Sequence, residues 1–491
     1  MADDAGGQPL LASRTGRTAL AATILAGAMA MLDGTIVNVA LPTIGEDLDT
    51  DVSGLQWVSS AYLVTLASLI LLGGALGDRL GRRRVFVLGI VWFAVASIGC
   101  AAAPTVGVLV VARLLQGVGG ALVAPGSLAL IQASFTPGDR GAAVGYWSAL
   151  GGVAGALGPF LGGWIVQGPG WRWAFLINVP VAAVTLVATR SVPESRDPNA
   201  SGRFDVAGTV LAVVALGTGT WALISGGERG WADPLVVTTG VVAVLAGVSF
   251  VVRQRRADHP LVPPSLFRSR TFSVLNVATF VLYAAIGSLF FLVVYQLQVS
   301  AGWSPLAAGA ALVPATILML VGSPASGRLA TRIGPRPQLI VGPLLAAGGF
   351  VLLASIGPDP TWLTNVLPGA VLVGLGLVTF VAPLTASVMG AVDAHLVGTA
   401  SAVNNAVART ASLAAVAVLP VVSGLSSAEG AAAETTDAYR VAMILSAVLA
   451  GAASIIAAVG LPRLCATRRS PRAAYCCIDA TPAQPSEAAW V

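Results

Sequence analysis

The sequence predicts an all-α integral membrane protein with fourteen transmembrane helices, and three observations lead there. Of its 491 residues, 56% are hydrophobic and only 10% are charged, whereas soluble globular domains carry roughly 25% charged residues. The mean hydropathy is +0.84. Apolar stretches of about 20 residues recur between polar or Gly/Pro breaks, each long enough to cross a hydrocarbon core as a helix. Arginines gather on alternate loops, as membrane topology requires. Helices and closed barrels alone satisfy the backbone in lipid, and runs of this length are helical.

In chain order, spans 1 to 6 fall at 19–41, 55–76, 85–103, 106–132, 142–166 and 174–189. Arg14 and Arg17 ahead of "ALAATILAGAMA" imitate a signal peptide, but the apolar run continues and more spans follow, so span 1 is expected to be retained. Spans 7 and 8 fall at 206–225 and 234–252. Spans 9 to 14 fall at 272–296, 306–326, 338–356, 362–389, 400–422 and 438–459. The polar stretch from about Cys465, rich in Ala, Pro and Arg, is expected to be disordered.

Arginine placement tests this count. With the N-terminus cytoplasmic, the inner side holds 22 arginines and the outer side three: Arg172, Arg229 and Arg440. Arg113 and Arg409 fall inside spans. The asymmetry is what the positive-inside rule demands, and an odd number of spans would spoil it. Both termini are therefore expected in the cytoplasm.

The same bookkeeping excludes several functions. The sequence pI near 9.4 follows from topogenic arginine and does not call for nucleic acid. All 27 basic residues are arginine, so neither a P-loop lysine nor a Schiff-base lysine exists. Cys100, Cys465, Cys476 and Cys477 form no metal-binding pattern, and His259 and His395 fall in predicted loops. Neither a catalytic site nor a metal site is expected.

An internal repeat follows. "GALGDRLGRR" starts at Gly74 after span 2, and "GRLATRIGPR" starts at Gly327 after span 10, an offset of 253. The copies lie eight spans apart, so two homologous six-span bundles with two inserted spans account for them, both copies lying on one side as in a parallel repeat. The predicted organisation is a tail at 1–18, a bundle at 19–190, two extra spans with flanking loops at 191–271, a second bundle at 272–462, and a tail at 463–491.

Four stretches now resemble a known family. These are "LDGTIVNVALP" in span 1, "GALGDRLGRR" in loop 2–3, "RLLQGVGGA" from Arg113, and "GGVAGALGPFLGG" from Gly151. Together they resemble the major facilitator superfamily and, within it, the fourteen-span drug:proton antiporters, over about Leu20 to Val459. The resemblance implies the major facilitator fold, alternating access in the cytoplasmic (inner) membrane, and no cofactor beyond the proton gradient. It implies conformational gating for the loop motif, with Gly74, Asp78, Arg79, Gly81, Arg82 and Arg83 and with Asp139 as a partner across the bundle interface. It links Arg113, Gln116 and Gly117 to proton coupling, and Gly151, Gly155, Gly158, Pro159, Gly162 and Gly163 to antiport. Those glycines share one helical face at Gly151, Gly155, Gly158 and Gly162, which suits close packing and a gliding interface between bundles, and Pro159 removes a helix hydrogen bond.

Asp33 is the acid placed well inside a span. Counting rise per residue puts Asp33 and Arg113 at matching depth, about 10–12 Å from the outer boundary. A charge in hydrocarbon costs about 2.5–3.5 kcal/mol even on lenient scales, so such residues seek a partner. Two readings remain open. Either Asp33 and Arg113 form a static pair, with Asp33 also bonding Thr35 or Asn38, or Asp33 binds a proton or a cationic substrate in alternation. Burial disfavours a charged carboxyl and a nearby arginine favours it, so separating the two would move a proton. Spans 9–14 hold no acid, and Arg409 either stabilises the bundle or favours a neutral or anionic substrate. Asn38, Tyr283, Tyr295, Gln296, Asn404, Asn405 and Arg409 are the candidate cavity residues.

The sequence therefore predicts a monomeric, proton-coupled exporter of amphipathic small molecules such as antibiotics, its partners being substrate, protons and the bilayer. A metabolite symporter on the same fold, or a lipid-handling or non-transporting membrane protein, are the alternatives.

Overall fold

The computed structural model describes residues 13–196, 205–258, 260–287, 289–393, 396–425 and 432–462. The C-terminal tail with its three cysteines, His259 and His395 lie outside the described residues. The protein is all-helical, with no strand among the described residues.

The first six spans are α1 (Arg14–Asp47), α2 (Val52–Leu80), α3 (Arg82–Ala101), α4 (Val106–Ser134), α5 (Pro137–Gln167) and the pair α6 (Arg172–Leu176) and α7 (Asn178–Thr189). Each start has a local cause. Ser13, Asp51 and Thr105 accept from the amides of Gly16, Gly54 and Val108 and so cap α1, α2 and α4. Span 6 is broken at Ile177, leaving a short helix against a longer one.

The hairpin α8 (Val206–Arg229) and α9 (Pro234–Arg256) follows. It is tied down at one end by Asp205, which is buried and accepts from Gly208 N, Arg253 Nε and Gln254 Nε2 at 2.8–3.0 Å. Burial alone would raise the Asp205 carboxyl, but these three donors outweigh it and hold the group below the ordinary carboxylate range.

The remaining spans are α10 (Arg270–Ile286) with α11 (Leu289–Tyr295), α12 (Pro305–Ala310) with α13 (Val313–Ile333), α14 (Pro335–Leu353), α15 (Leu367–Gly390), α16 (Val397–Val422) and α17 (Ala432–Gly460). Among the described residues, thirteen segments are long and apolar enough to cross a membrane. The fourteenth, α5, runs 31 residues, or about 46 Å at 1.5 Å per residue.

Helix pairing follows the sequence repeat. In the first half α2 and α3 pack on α4, α1 packs on α5 and α7, and α3 packs on α7. Eight spans later α13 and α14 pack on α15, α10 packs on α16 and α17, and α14 packs on α17. The inserted α8 leans on both α2 and α16 and so bridges the two halves. Gly81 and Gly334, equivalent in the repeat, open α3 and α14 with φ of +116° and +81°, a left-handed turn that favours glycine.

One end of the molecule carries Arg79, Arg82, Arg83, Arg84, Arg190 and Arg253, and the other is arginine-poor. The halves seal against each other at the arginine-poor end. Gln56 Nε2 on α2 donates to Val416 O on α16 at 2.8 Å, and Gln298 Nε2 donates to Val39 O on α1 at 3.0 Å. A Cβ at Gly163 would lie 2.5 Å from Leu306 Cα, and one at Gly309 would lie 2.2 Å from Pro159 O. Farther from the seal, several glycines have no close neighbour. A Cβ at Gly34, Gly151 or Gly327 would meet nothing within 4 Å.

Candidate functional site

Asp33 and Arg113 meet, as depth counting predicts. The Arg113 Nη1 group donates to Asp33 Oδ2 at 2.5 Å, with Asp33 0% and Arg113 1% exposed. The other carboxylate oxygen, Oδ1, accepts from Gln116 Nε2 at 2.8 Å and from Asn178 Nδ2 at 3.0 Å. Every neighbour offers Asp33 a hydrogen, an arrangement made for the charged carboxylate. Gln116 bridges the pair, since its Oε1 accepts from Arg113 at 2.6 Å while its amide turns to Asp33 and to Ser97 Oγ, 2.8 Å away. Arg113 is also tethered to α2, because its Nε donates to Val58 O at 3.1 Å and its guanidinium lies 4.6 Å from the centre of the Tyr62 ring. Phe175 flanks it at 5.8 Å.

Spans 1, 2, 3, 4 and 6 thus converge on one buried charge pair. Asn178, Ser97 and Phe175 escape sequence reading, because isolated polar and aromatic residues in apolar spans carry no periodic signal. The break at Ile177 is what brings Phe175 and Asn178 to bear. The expected alternative partners of Asp33 look elsewhere: Thr35 Oγ1 donates to the carbonyls of Met31 and Leu32, and Asn38 Nδ2 to that of Gly34.

Gly117, one residue past Gln116, lets α4 press on α2. A Cβ there would lie 1.9 Å from Thr65 Oγ1 and 2.4 Å from Tyr62 O. Its place in the motif is therefore a packing requirement that holds Arg113 and Gln116 in register with Tyr62.

The antiporter-motif glycines divide their work differently from the expectation. Gly158 and Gly162 face Thr35 and Ile36 of α1, and a Cβ at Gly155 would lie 3.9 Å from Met31 Sδ. That face packs within its own half and is not a gliding interface between halves. The contact across halves belongs to Gly163 and Pro159, which meet Leu306 and Gly309. Spacing shows that glycines share a face but not which neighbour the face meets.

In the loop motif, Asp78 pairs with Arg82 four residues on, at 2.8 Å. The acid that reaches the loop from afar is Glu194, after span 6. Its two oxygens accept from the backbone amides of Arg83 and Arg84 at 3.1 and 3.2 Å, capping α3 from outside. It also occupies the space a Cβ at Gly81 would need, 2.7 Å away. A Cβ at Gly74 would meet Pro125 at an ordinary 3.6 Å, while Asp139 stands in the first turn of α5. Glu194→Gln is expected to weaken this cap by about 1 kcal/mol. Amide exchange at Arg83 and Arg84 should then quicken while exchange in α14 stays unchanged.

The candidate cavity residues separate likewise. Gln296 is buried and donates to Thr436 on α17 at 2.9 Å, so it joins two helices of the second half and is not a lining residue. Asn404 donates to Asn276 Oδ1 and Thr279 Oγ1 at 3.1 and 3.0 Å, tying α16 to α10. Tyr295 stacks on Phe291. Asn38, Tyr283 and Arg409 keep partial exposure, and Asn405 is exposed.

The fold and these motifs have counterparts. The profile of the Major Facilitator Superfamily matches residues 23–417. The chain is a member of the major facilitator superfamily. It is 38% identical to the puromycin resistance protein pur8 of Streptomyces alboniger, over 82% of this chain and 81% of that protein. It is 37% identical to the tetracenomycin C resistance and export protein of Streptomyces glaucescens, over 80% and 73% of the two chains. The methylenomycin A resistance protein of Bacillus subtilis (strain 168) is also 37% identical, over 84% and 89%. Among solved structures, a POT family transporter in complex with 5-aminolevulinic acid superposes with a TM-score of 0.66 at 15% identity, covering 91% of this chain and 95% of that one. That likeness concerns the fold alone. This superfamily member is a multi-pass membrane protein whose relatives are antibiotic-resistance proteins and exporters.

Proposed function

We propose that this protein is a proton-coupled exporter of amphipathic small molecules, a drug:proton antiporter working by alternating access as a monomer. Its arginine-rich end and both termini face the cytoplasm, and no cofactor serves it beyond the proton gradient. The observation that carries the reading is the Asp33–Arg113 pair, buried where five spans meet. The names of the relatives, which speak of resistance and export, support the outward direction.

The physical sequence runs from charge to seal. Protonating Asp33 removes the anion that orders Arg113, Gln116 and Asn178. Arg113 is then held mainly by Val58 O and the Tyr62 ring on α2. Val58 lies two residues from Gln56, whose amide closes the arginine-poor seal on Val416. A shift of Arg113 therefore acts on the same turn of α2 that holds the seal. The bundles at 19–190 and 272–462 move against each other, the spans within 191–271 bridge them, and the loop 2–3 cluster, stapled by Glu194, latches the cytoplasmic side.

Everted vesicles from an expressing strain test this, with the compound to which expression confers most resistance in a susceptibility panel supplied from outside. Adding the compound should collapse part of the proton gradient as it accumulates. Accumulation without proton movement sinks the antiport reading.

A further inference from the structure

Arg409 is the one charge on α16, and its placement bears on what the transporter carries. Arg409 lies on α16 twelve residues past Val397 and seven before Val416, about 10 Å short of the seal. It therefore stands about two helical turns from the seal, on the arginine-rich side of it. Gly287 brings α10 and α16 together just beyond it, since a Cβ there would lie 2.5 Å from Ser412 Cα. The helix that carries it, α16, packs on α2 of the first half and on α10 of the second, and so lies at the seam between the halves. Asn405, one turn closer to the arginine-rich end, shares its face and is exposed.

What surrounds Arg409 is as informative. The ion pairs among the described residues all lie elsewhere. From Arg270 to Val422 the only acids are Asp359 and Asp393, both in loops. The facing side of α1 presents Met31, Gly34 and Asn38, which are apolar or neutral. Asp33 points the other way, is fully buried, and is neutralised by Arg113. A cationic ligand would meet a fixed positive charge here and no carboxylate. A half-exposed arginine inside a membrane protein is costly unless something compensates it, and a planar guanidinium matches carboxylate or sulfonate geometry.

We infer that Arg409 is an anion-binding residue of the transport cavity, with Tyr283 and Asn405 beside it, and that the preferred substrates are amphipathic molecules bearing an acidic group. This rests on the export reading for its meaning, but not for its test, because binding is measured without any gradient. The purified full chain is placed in zwitterionic lipid nanodiscs and titrated with fluorescein and with rhodamine 6G, two xanthene dyes of opposite charge, followed by fluorescence anisotropy against empty discs. Fluorescein should bind saturably and the more tightly. Arg409→Gln should weaken it about tenfold, the scale of one charge-assisted contact, with rhodamine 6G unchanged or improved, and Arg409→Lys should retain most of the affinity. Tighter binding of rhodamine 6G, absence of saturable fluorescein binding, or unchanged fluorescein affinity in Arg409→Gln would each overturn the inference. Should that variant not be recovered folded, the two dyes on the unaltered protein decide it. Failure of proton coupling in vesicles, with fluorescein binding intact, would refute the antiport reading and leave the anion site standing.

Discussion

Asp33→Asn should leave the protein in the membrane and abolish gradient-driven efflux. Asparagine nearly matches aspartate in shape, so the packing of α1 against α4 and α7 survives. What changes is the charge opposite Arg113, which is 1% exposed. Removing one partner of a buried ion pair costs about 3–5 kcal/mol, because the other charge stays behind uncompensated. Val58 O, Gln116 Oε1 and the Tyr62 ring offset part of that cost, so the variant should melt at a lower temperature yet remain folded.

Stability alone cannot distinguish a static pair from a proton switch, but a double variant can. Asp33→Asn combined with Arg113→Gln replaces both charges and should recover much of the lost stability. If the pair is only structural, transport recovers with it. If Asp33 carries the proton, the double variant is stable and still dead. Arg113→Ala alone should also stop efflux, and it leaves the Asp33 carboxylate with only the amides of Gln116 and Asn178. Normal transport by the Asp33→Asn variant would end the coupling role.

The second large effect lies about 5–9 Å farther along the membrane normal, at the seal. Gly163→Val should trap the protein open at the arginine-poor end. Even a Cβ at Gly163 would stand 2.5 Å from the backbone of Leu306, and backbone cannot swing aside as a side chain does. The clash arises only when the halves close, so each half keeps its own core, and expression and melting should change little. Transport should fall at least tenfold, since a cycle that cannot seal is worth more than about 1.4 kcal/mol of lost population. Spin labels on α5 and α13 near this end should report longer distances than in the unaltered protein. Gly158→Val is the contrast. Its clash is with Thr35 inside the same half, where a Cβ would sit 1.8 Å from Oγ1, so it should lower the melting temperature whichever way the transporter faces. Equal distances in the Gly163 variant and the unaltered protein would show that this contact does not form the seal.

Much of this was legible in the chain. Apolar run length gives the spans, because lipid leaves the backbone no other partner, and arginine placement gives their parity. The repeat at Gly74 and Gly327 anticipates the matched pairing of helices in the two halves. The depth of Asp33 and Arg113 could be counted, since helix rise is constant, and so their meeting could be expected. Other features were not legible. Gln116 carried a motif label, but only the fold shows it bonded to both charges at once. Asn178 and Ser97 are ordinary polar residues until the break at Ile177 and the packing of α3 bring them to Asp33. Glu194 sits 111 residues from the amide it caps, beyond the reach of any local rule.

By itself, then, the sequence determined the one-dimensional quantities: where the spans fall, and at what level along them Asp33 and Arg113 lie. Tertiary structure alone decided which faces meet. It assigned Gly158 and Gly162 to the inside of one half and Gly163 to the seam between two, it turned Gln296 and Asn404 into helix-to-helix ties, and it left Arg409 half-buried. The reason is physical. In a bilayer every helix is surrounded by apolar matter on all sides, so hydrophobicity no longer marks an inner face, and rotation about the helix axis is set by steric fit and polar pairing between neighbours.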